Sequence, residues 1–392
     1  MNRFSHHIKR VVLIGGGHSH AIALKLWGIN PLPGVHLTLI SDVSQTPYSG
    51  MLPGHIAGFY SFTETHINLP PLARFAGAEF YCDSAISLDL ANQKVICANH
   101  PAIAFDILSI DIGSTPTTTS VTGAAKYAIP AKPVAQFLTA WCQILERVSH
   151  QPEKPLTIAI VGGGAGGVEL ALNMQSRLHT ILKETRQPLQ NISLHLFHRH
   201  SQLLPHHNAW VSRQLEKILF QKGIILHLEQ NVKEICDNSP EKDLCKIICQ
   251  SGLEIVAHKI IWVTQASAPS WLKASGLATD SQGFLLVKDT LQSKSHSHIF
   301  AAGDIATMEN YNCPKAGVFA VRQGKPLLEN IQRLILDKPL KPYIPQKHYL
   351  SLIGTGDKNA IASWSVFGWR SPLLWYWKDY IDRQFMKGFS EL

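Results

Sequence analysis

The sequence predicts an α/β protein in which one strand–glycine turn–helix–strand unit is interrupted by a second copy of itself. Three observations predict it. An apolar, β-branched run at 10–14 (RVVLI) ends in Gly15, Gly16 and Gly17, and a helical pattern over 19–27 and an apolar strand at 35–40 follow. The same order returns at 157–161 (TIAIV), with glycines at 162, 163, 164, 166 and 167, a helical stretch over 168–182 and a strand at 192–197. Far downstream, an apolar run closes on Phe300, two alanines, Gly303 and Asp304. Continuous apolar strands of this kind suit a parallel sheet covered on both faces. Two such units make two Rossmann-like dinucleotide-binding domains, the second inserted in the first.

Breaks in the pattern set the boundaries. A Pro/Thr/Ser-rich stretch lies at 114–120, and QPEKP at 151–155 reads as the linker into the second unit. Further strands are expected near 224–228, 245–249 and 258–263, and a return linker at 266–278. The division is therefore 1–150 for the first part of the outer domain, 151–275 for the inserted domain, 276–335 for the second part, and 336–392 for a C-terminal α+β segment.

Composition narrows the class. Of 392 residues, 45% are hydrophobic and 16% charged, which fits a globular protein rather than a disordered one. Residues 1–10 are polar and lack the apolar stretch of a leader, and no run approaches the roughly 18 apolar residues of a membrane span. The expected location is the cytoplasm or a membrane's cytoplasmic face. The seven cysteines form no CxxC pair, which argues for reduced thiols. A net charge of +8 suits phosphate-bearing cofactors or an anionic surface, while no Lys/Arg block argues for nucleic acid. His195, His198, His200, His206 and His207 have no carboxylate or cysteine among them and no standard ligand spacing, so no metal is expected.

Glycine turns between a strand and a helix have a definite chemistry. They let the backbone approach a pyrophosphate, and the free amides and dipole of the helix start bind its charge. Gly162, Gly164 and Gly167 occupy all three glycine positions of the pattern; Gly15 and Gly17 occupy two, with His20 in the third. Either stretch alone is also compatible with an ordinary βα turn. Asp304, at a strand end, is placed to hydrogen-bond a ribityl hydroxyl. Beyond the strand at 192–197, His198 and Arg199 stand where folds that prefer NADH carry an acid, so they lean the second site toward NADPH. The alternative is a solvated loop.

Four blocks carry a closer resemblance: GGGHSH at 15–20, TPYSGMLPG at 46–54, PKAGVFAVRQG at 314–324 and KDYIDRQFM at 378–386. With them the chain resembles the two-dinucleotide-binding flavoproteins, near type II NADH dehydrogenases and sulfide:quinone reductases. Within these it is similar to the pyridine nucleotide-disulfide oxidoreductase-like family often fused in front of selenophosphate synthetase. The resemblance implies that FAD lies on Gly15, Gly17, His18, Gly113, Gly303 and Asp304. Its ring would be approached by Pro47, Tyr48, Met51, Leu52, Lys315, Gly317 and Val318. It implies NADH or NADPH on the second turn, with Glu169 near the nicotinamide; Glu169 and Lys315 are the catalytic candidates. The position after the second strand that usually holds a ribose-binding acid is Ser41, with Asp42 next, so Asp42 or other groups would serve. No redox cysteine pair follows the first turn, and Cys313 reads as a bystander.

The function implied is hydride transfer from NAD(P)H to FAD and delivery of electrons to an acceptor, a quinone first of all. An electron donor in sulfur or selenium metabolism and a non-turnover, redox-sensing FAD protein are the other readings. Finally, Ser371 and Pro372 start a helix to about 387, on which Leu373, Leu374, Trp377, Ile381 and Phe385 form an apolar stripe. Such a stripe suits peripheral membrane contact, the protein's own surface, or a homodimer.

Overall fold

The computed structural model describes residues 8–116, 121–238, 244–264 and 266–391; residues 1–7 of the polar amino terminus and 117–120 of the Thr-rich stretch lie outside them. The first apolar run forms the strand Lys9–Ile14, the middle member of a five-stranded sheet. Its order is Ile299–Ala301, Ile107–Ile110, Lys9–Ile14, Val35–Ser41 and Glu79–Cys82, all parallel. The returning strand 299–301 joins this sheet beside 107–110, which is the interruption expected from the sequence.

A second parallel sheet has the order Ala128–Pro130, Lys259–Trp262, Leu156–Val161, Ile192–Phe197 and Ile225–His227. The inner strands of both sheets are apolar runs rich in Val, Ile and Leu and largely buried on both faces, as parallel strands require. The second sheet begins earlier in the chain than the boundary at 150/151. Ala128–Pro130 is one of its strands, and the helix Val134–His150 puts Phe137, Trp141 and Ile144 into its core. The prolines at 152 and 155 mark a turn inside this unit rather than its entrance. Entry and exit lie side by side, because Thr115 and Pro116 pair antiparallel with Ser267 and Ala266. One short segment touches both cores: Met51 is buried in the first, and Ile56, at the end of the helix Leu52–Ile56, in the second.

The C-terminal segment is an antiparallel sheet of Ser351–Gly354, Ala360–Trp364 and Phe367–Ser371, then the helix Pro372–Ser390. Ser371 caps it, its hydroxyl oxygen accepting the Leu373 N–H at 3.2 Å. The helix is rotated so that the expected stripe is split, with Leu374 and Phe385 packed inward. Leu374, Asp382 and Met386 point inward, while Leu373 (75% exposed), Trp377 (45%) and Ile381 face out beside Tyr376 and Tyr380. An internal ion pair sets this rotation: Lys378 Nζ lies 2.6 Å from Asp382 Oδ2 and also donates to the Gly50 carbonyl. Among the described residues no helix is long and apolar enough to cross a membrane.

Candidate functional site

The first turn is tight. Gly15 has φ +94°, and a Cβ there would stand 2.3 Å from the Asp111 carbonyl oxygen, so only glycine fits. The helix His18–Ile29 starts from Gly17. Burial lowers the His20 imidazole to about 4, leaving it neutral. Its Nδ1–H then donates to the Gly15 carbonyl at 2.7 Å, and its Nε2, 2.8 Å from Ser109 Oγ, accepts from that hydroxyl. At the start of this helix lies a carboxylate that the sequence reading did not single out. Asp111 Oδ2 accepts the N–H groups of Ser19 (2.9 Å) and His20 (3.2 Å).

The second turn is built with full glycine spacing. Gly162 has φ +133°, and a Cβ on Gly167 would be 1.8 Å from the Gly162 carbonyl oxygen. The helix Ala165–Glu184 therefore rests directly on the strand end. Gly164, its cap, borders open space, with nothing within 4 Å of a built Cβ. The two basic candidates beside this turn part company. His198 is buried, its Nδ1 accepts the Gly163 N–H at 3.2 Å, and burial lowers its pKa, so it offers no cation to a 2′-phosphate. Arg199 is exposed, 3.1 Å from His200.

Of the groups expected around a flavin, several converge. His18 meets Tyr48 edge-on at 5.4 Å; Tyr48 stacks on Phe385 of the C-terminal helix at 4.3 Å. A Cβ on Gly317 would touch Ser49 Oγ at 2.7 Å and approach His18 at 3.9 Å, so the start of the helix Gly317–Ile335 closes on the same spot. His18 is pushed down to about 4 by burial, with Asp304 pulling the other way, and its Nε2 is shielded from solvent with no hydrogen-bond partner. Pro47, Leu52 and Val318 are half-buried, Leu52 against the second core, whereas Met51 is spent on the first core.

Asp304 is paired with Lys132 at 2.8 Å and accepts the Ser114 hydroxyl at 3.2 Å. Burial would raise its pKa, but the ammonium holds it below the ordinary value. Gly303 (φ +71°) and Gly113 (φ +70°) flank it, the latter facing open space. Lys315 turns away to donate to the Ala306 carbonyl (2.6 Å) and sits over Phe284 at 4.1 Å, burial lowering it to about 8. Burial raises the Cys313 thiol, with Lys315 pulling the other way. At the end of the second strand Ser41 is buried and Asp42 exposed.

Glu169 belongs to a different cluster from Lys315. Its Oε1 accepts the Gly354 N–H at 2.8 Å, and burial pushes the carboxyl up to about 7, with Lys378 pulling it down. A narrow cleft bounded by Gly54, Tyr60, Trp375 and Lys378 opens onto it. Lys132 escaped the sequence reading, and Lys378 and Asp382 stood in it only as part of the block at 378–386 and the polar side of the last helix. The i,i+4 spacing of the last two was its one available signal.

The two turns offer what a pair of dinucleotides needs. Amide-bearing helix starts follow both glycine turns, open at the second and met by the Asp111 carboxylate at the first, with room at Gly164 and Gly113 and an unsatisfied imidazole nitrogen at His18. Fold and site thus define an α/β oxidoreductase with two dinucleotide-binding units. The chain belongs to the pyridine nucleotide-disulphide oxidoreductase family, whose pattern matches residues 9–324.

Among its relatives is NADH dehydrogenase-like protein YutJ of Bacillus subtilis, 22% identical over 95% of this chain and 99% of that protein. Ferroptosis suppressor protein 1 of Taeniopygia guttata is 26% identical over 86% of this chain and 83% of that protein. The fold is shared with NDH2 of Plasmodium falciparum, solved with NADH (TM-score 0.80, 16% identity, 98% of each chain). It is shared also with the sulfide:quinone oxidoreductase of Aquifex aeolicus (TM-score 0.77, 20% identity, 97% of this chain and 92% of that one).

Proposed function

We propose that this protein is an FAD-dependent NAD(P)H oxidoreductase with a quinone as electron acceptor. The observation that carries the reading is the recurrence of a positive-φ glycine turn at a helix start, once in each parallel sheet, within one family match. When bound, FAD supplies a centre that takes hydride from the nicotinamide and passes electrons on. The residues of this chain bind and orient. Gly15 and Gly17 let the backbone approach one pyrophosphate, and Gly162, Gly164 and Gly167 the other. Asp304, held ionised by Lys132, accepts from a ribityl hydroxyl, and His18 Nε2, Tyr48 and Gly317 bound the ring's place.

Glu169, with a carboxyl near 7, can hold or release a proton at neutral pH beside the cleft, as a quinone's reduction demands. Relatives named type II NADH:quinone oxidoreductase and sulfide:quinone oxidoreductase support that acceptor. The outward aromatic face of the C-terminal helix, with the net charge of +8, supports a resting place on an anionic membrane's cytoplasmic face.

The test is the absorbance spectrum of the purified protein followed by anaerobic addition of NADH or NADPH. Flavin bands that bleach with either nucleotide and return with a soluble quinone are expected; bands that persist sink the reading. Vesicle co-sedimentation at low and high salt tests the docking face. Protein that stays in the supernatant at low salt leaves that face to a second copy of the chain.

A further inference from the structure

We propose that FAD binds at the first glycine turn only with Asp111 protonated, so that on the alkaline side of neutrality each FAD bound takes up one proton at this side chain. The inference rests on the FAD reading above and concerns a residue that reading does not use.

Asp111 follows the buried strand Ile107–Ile110 and is itself only 2% exposed. Its carboxylate sits at the start of the helix His18–Ile29, taking the N–H groups of Ser19 and His20. Two glycines make room for it. A Cβ on Gly17 would stand 2.3 Å from its Cγ, and one on Gly303 2.3 Å from its Oδ1. Helix-start amides are what a dinucleotide pyrophosphate uses in this fold. In the second sheet the register places Val263 at the equivalent point, since Ile110 pairs with Ile14 before the first turn and Trp262 with Val161 before the second. No charge stands at the second turn's equivalent position; the first carries an internal anion.

A carboxylate and a pyrophosphate cannot both draw on the same amides in a buried space without a large repulsive cost. The groups facing Asp111 do not relieve it. From the helix come His18 and His20, both neutral, each lowered to about 4 by burial. From the turn at 303–305 comes Asp304, a second anion, whose counter-ion Lys132 is already engaged with it at 2.8 Å. From the helix Gly317–Ile335 comes Gln323, whose Oε1 accepts the Gly303 N–H at 2.7 Å. Burial already raises the Asp111 carboxyl to about 7, the amides of His20 and Ser19 pulling against it. An incoming dianion raises it further. The balance is Asp111 carboxylate, one proton from solvent and FAD giving a complex in which the Asp111 O–H is a donor; no bond is oxidised or reduced.

Equilibrium dialysis of the full-length protein against FAD across roughly pH 6 to 9 tests this, a range in which FAD itself does not titrate. The dissociation constant is expected to be flat below about 7 and to rise about tenfold per pH unit above it. Calorimetry at pH 8 in two buffers of different ionisation enthalpy should read one proton taken up per FAD. Asp111→Asn should flatten the pH profile and abolish the uptake. A flat wild-type profile with no proton uptake, or an Asp111→Asn variant that keeps the slope, overturns the proposal. The wild-type calorimetry decides it even where the variant does not fold. Failure to bind FAD at any pH overturns the cofactor reading as well.

Discussion

At the second turn a methyl group on Gly167 would stand 1.8 Å from the Gly162 carbonyl oxygen, whereas at the first the whole His20 imidazole occupies the matching position and donates to Gly15. In one the helix lies against the strand end with nothing between. In the other a side chain bridges helix to strand and satisfies a carbonyl that would otherwise be buried bare. The neighbouring strand differs to match: Val263 beside the glycine-only turn, Asp111 beside the histidine-bearing one. The first glycine of the pattern, Gly15 (φ +94°) or Gly162 (φ +133°), thus answers to backbone geometry, while the second, Gly164, faces open space. The third answers to packing, and a side chain with the right hydrogen bonds can replace it.

The sharpest break of the comparison is Gly164→Val. The built Cβ meets nothing within 4 Å, so the fold should survive, while the isopropyl group fills the mouth where a phosphate would lie. Losing two charge-assisted hydrogen bonds costs on the order of 3–6 kcal/mol, about a hundredfold or more in the rate of flavin reduction by limiting nucleotide. FAD occupancy should be unchanged, and stopped-flow absorbance reads both.

Exchanging the third positions comes next. His20→Gly deletes a buried ring and two hydrogen bonds and should lower stability by roughly 2–4 kcal/mol. Gly167→Ala should cost roughly 1–3 kcal/mol by overpacking against backbone. Denaturant midpoints measure both, and a silent His20→Gly would refute the bridging role.

A smaller effect is expected at Arg199. If it faces a 2′-phosphate, Arg199→Glu should shift the NADPH-to-NADH ratio of kcat/KM by about tenfold, and an unchanged ratio removes it from the site. The smallest concerns Glu169, raised from 4.5 to about 7 by burial. The folded state keeps this proton where the unfolded state releases it. Its contribution is therefore complete below 4.5, declines as pH rises through 7 and is absent above. Glu169→Gln should flatten part of the fall in Tm across that window in melts from about pH 4 to 9, and Asp111, raised in the same sense, carries another part.

The two sheets were legible because a strand buried on both faces must be apolar throughout, and 10–14 and 157–161 are. Ala128–Pro130 was not, being three residues long with an alanine and a proline, and defined only by pairing with Ile260–Trp262. The rotation of the last helix was hidden because Lys378 and Asp382 neutralise each other, so a charged pair goes inside while Leu373 and Trp377 go out. His198 and Arg199 read alike as basic neighbours; only the fold shows one ring accepting the Gly163 N–H and the other side chain in solvent. Asp111 lay in plain view as an acid ending an apolar strand, a position that burial alone makes conspicuous.

The ribbon of Thr115 and Pro116 on Ser267 and Ala266 changes how the outer domain can assemble. The strands 107–110 and 299–301 are neighbours in one sheet yet far apart along the chain. Once the inserted unit has folded, its two ends are held as close as the ends of a hairpin, and the entropy of closing that long loop no longer opposes the pairing. Refolding should therefore be ordered, the inserted sheet first and strand 299–301 last, with the outer sheet completed at the pace of a short turn rather than of a long-range search.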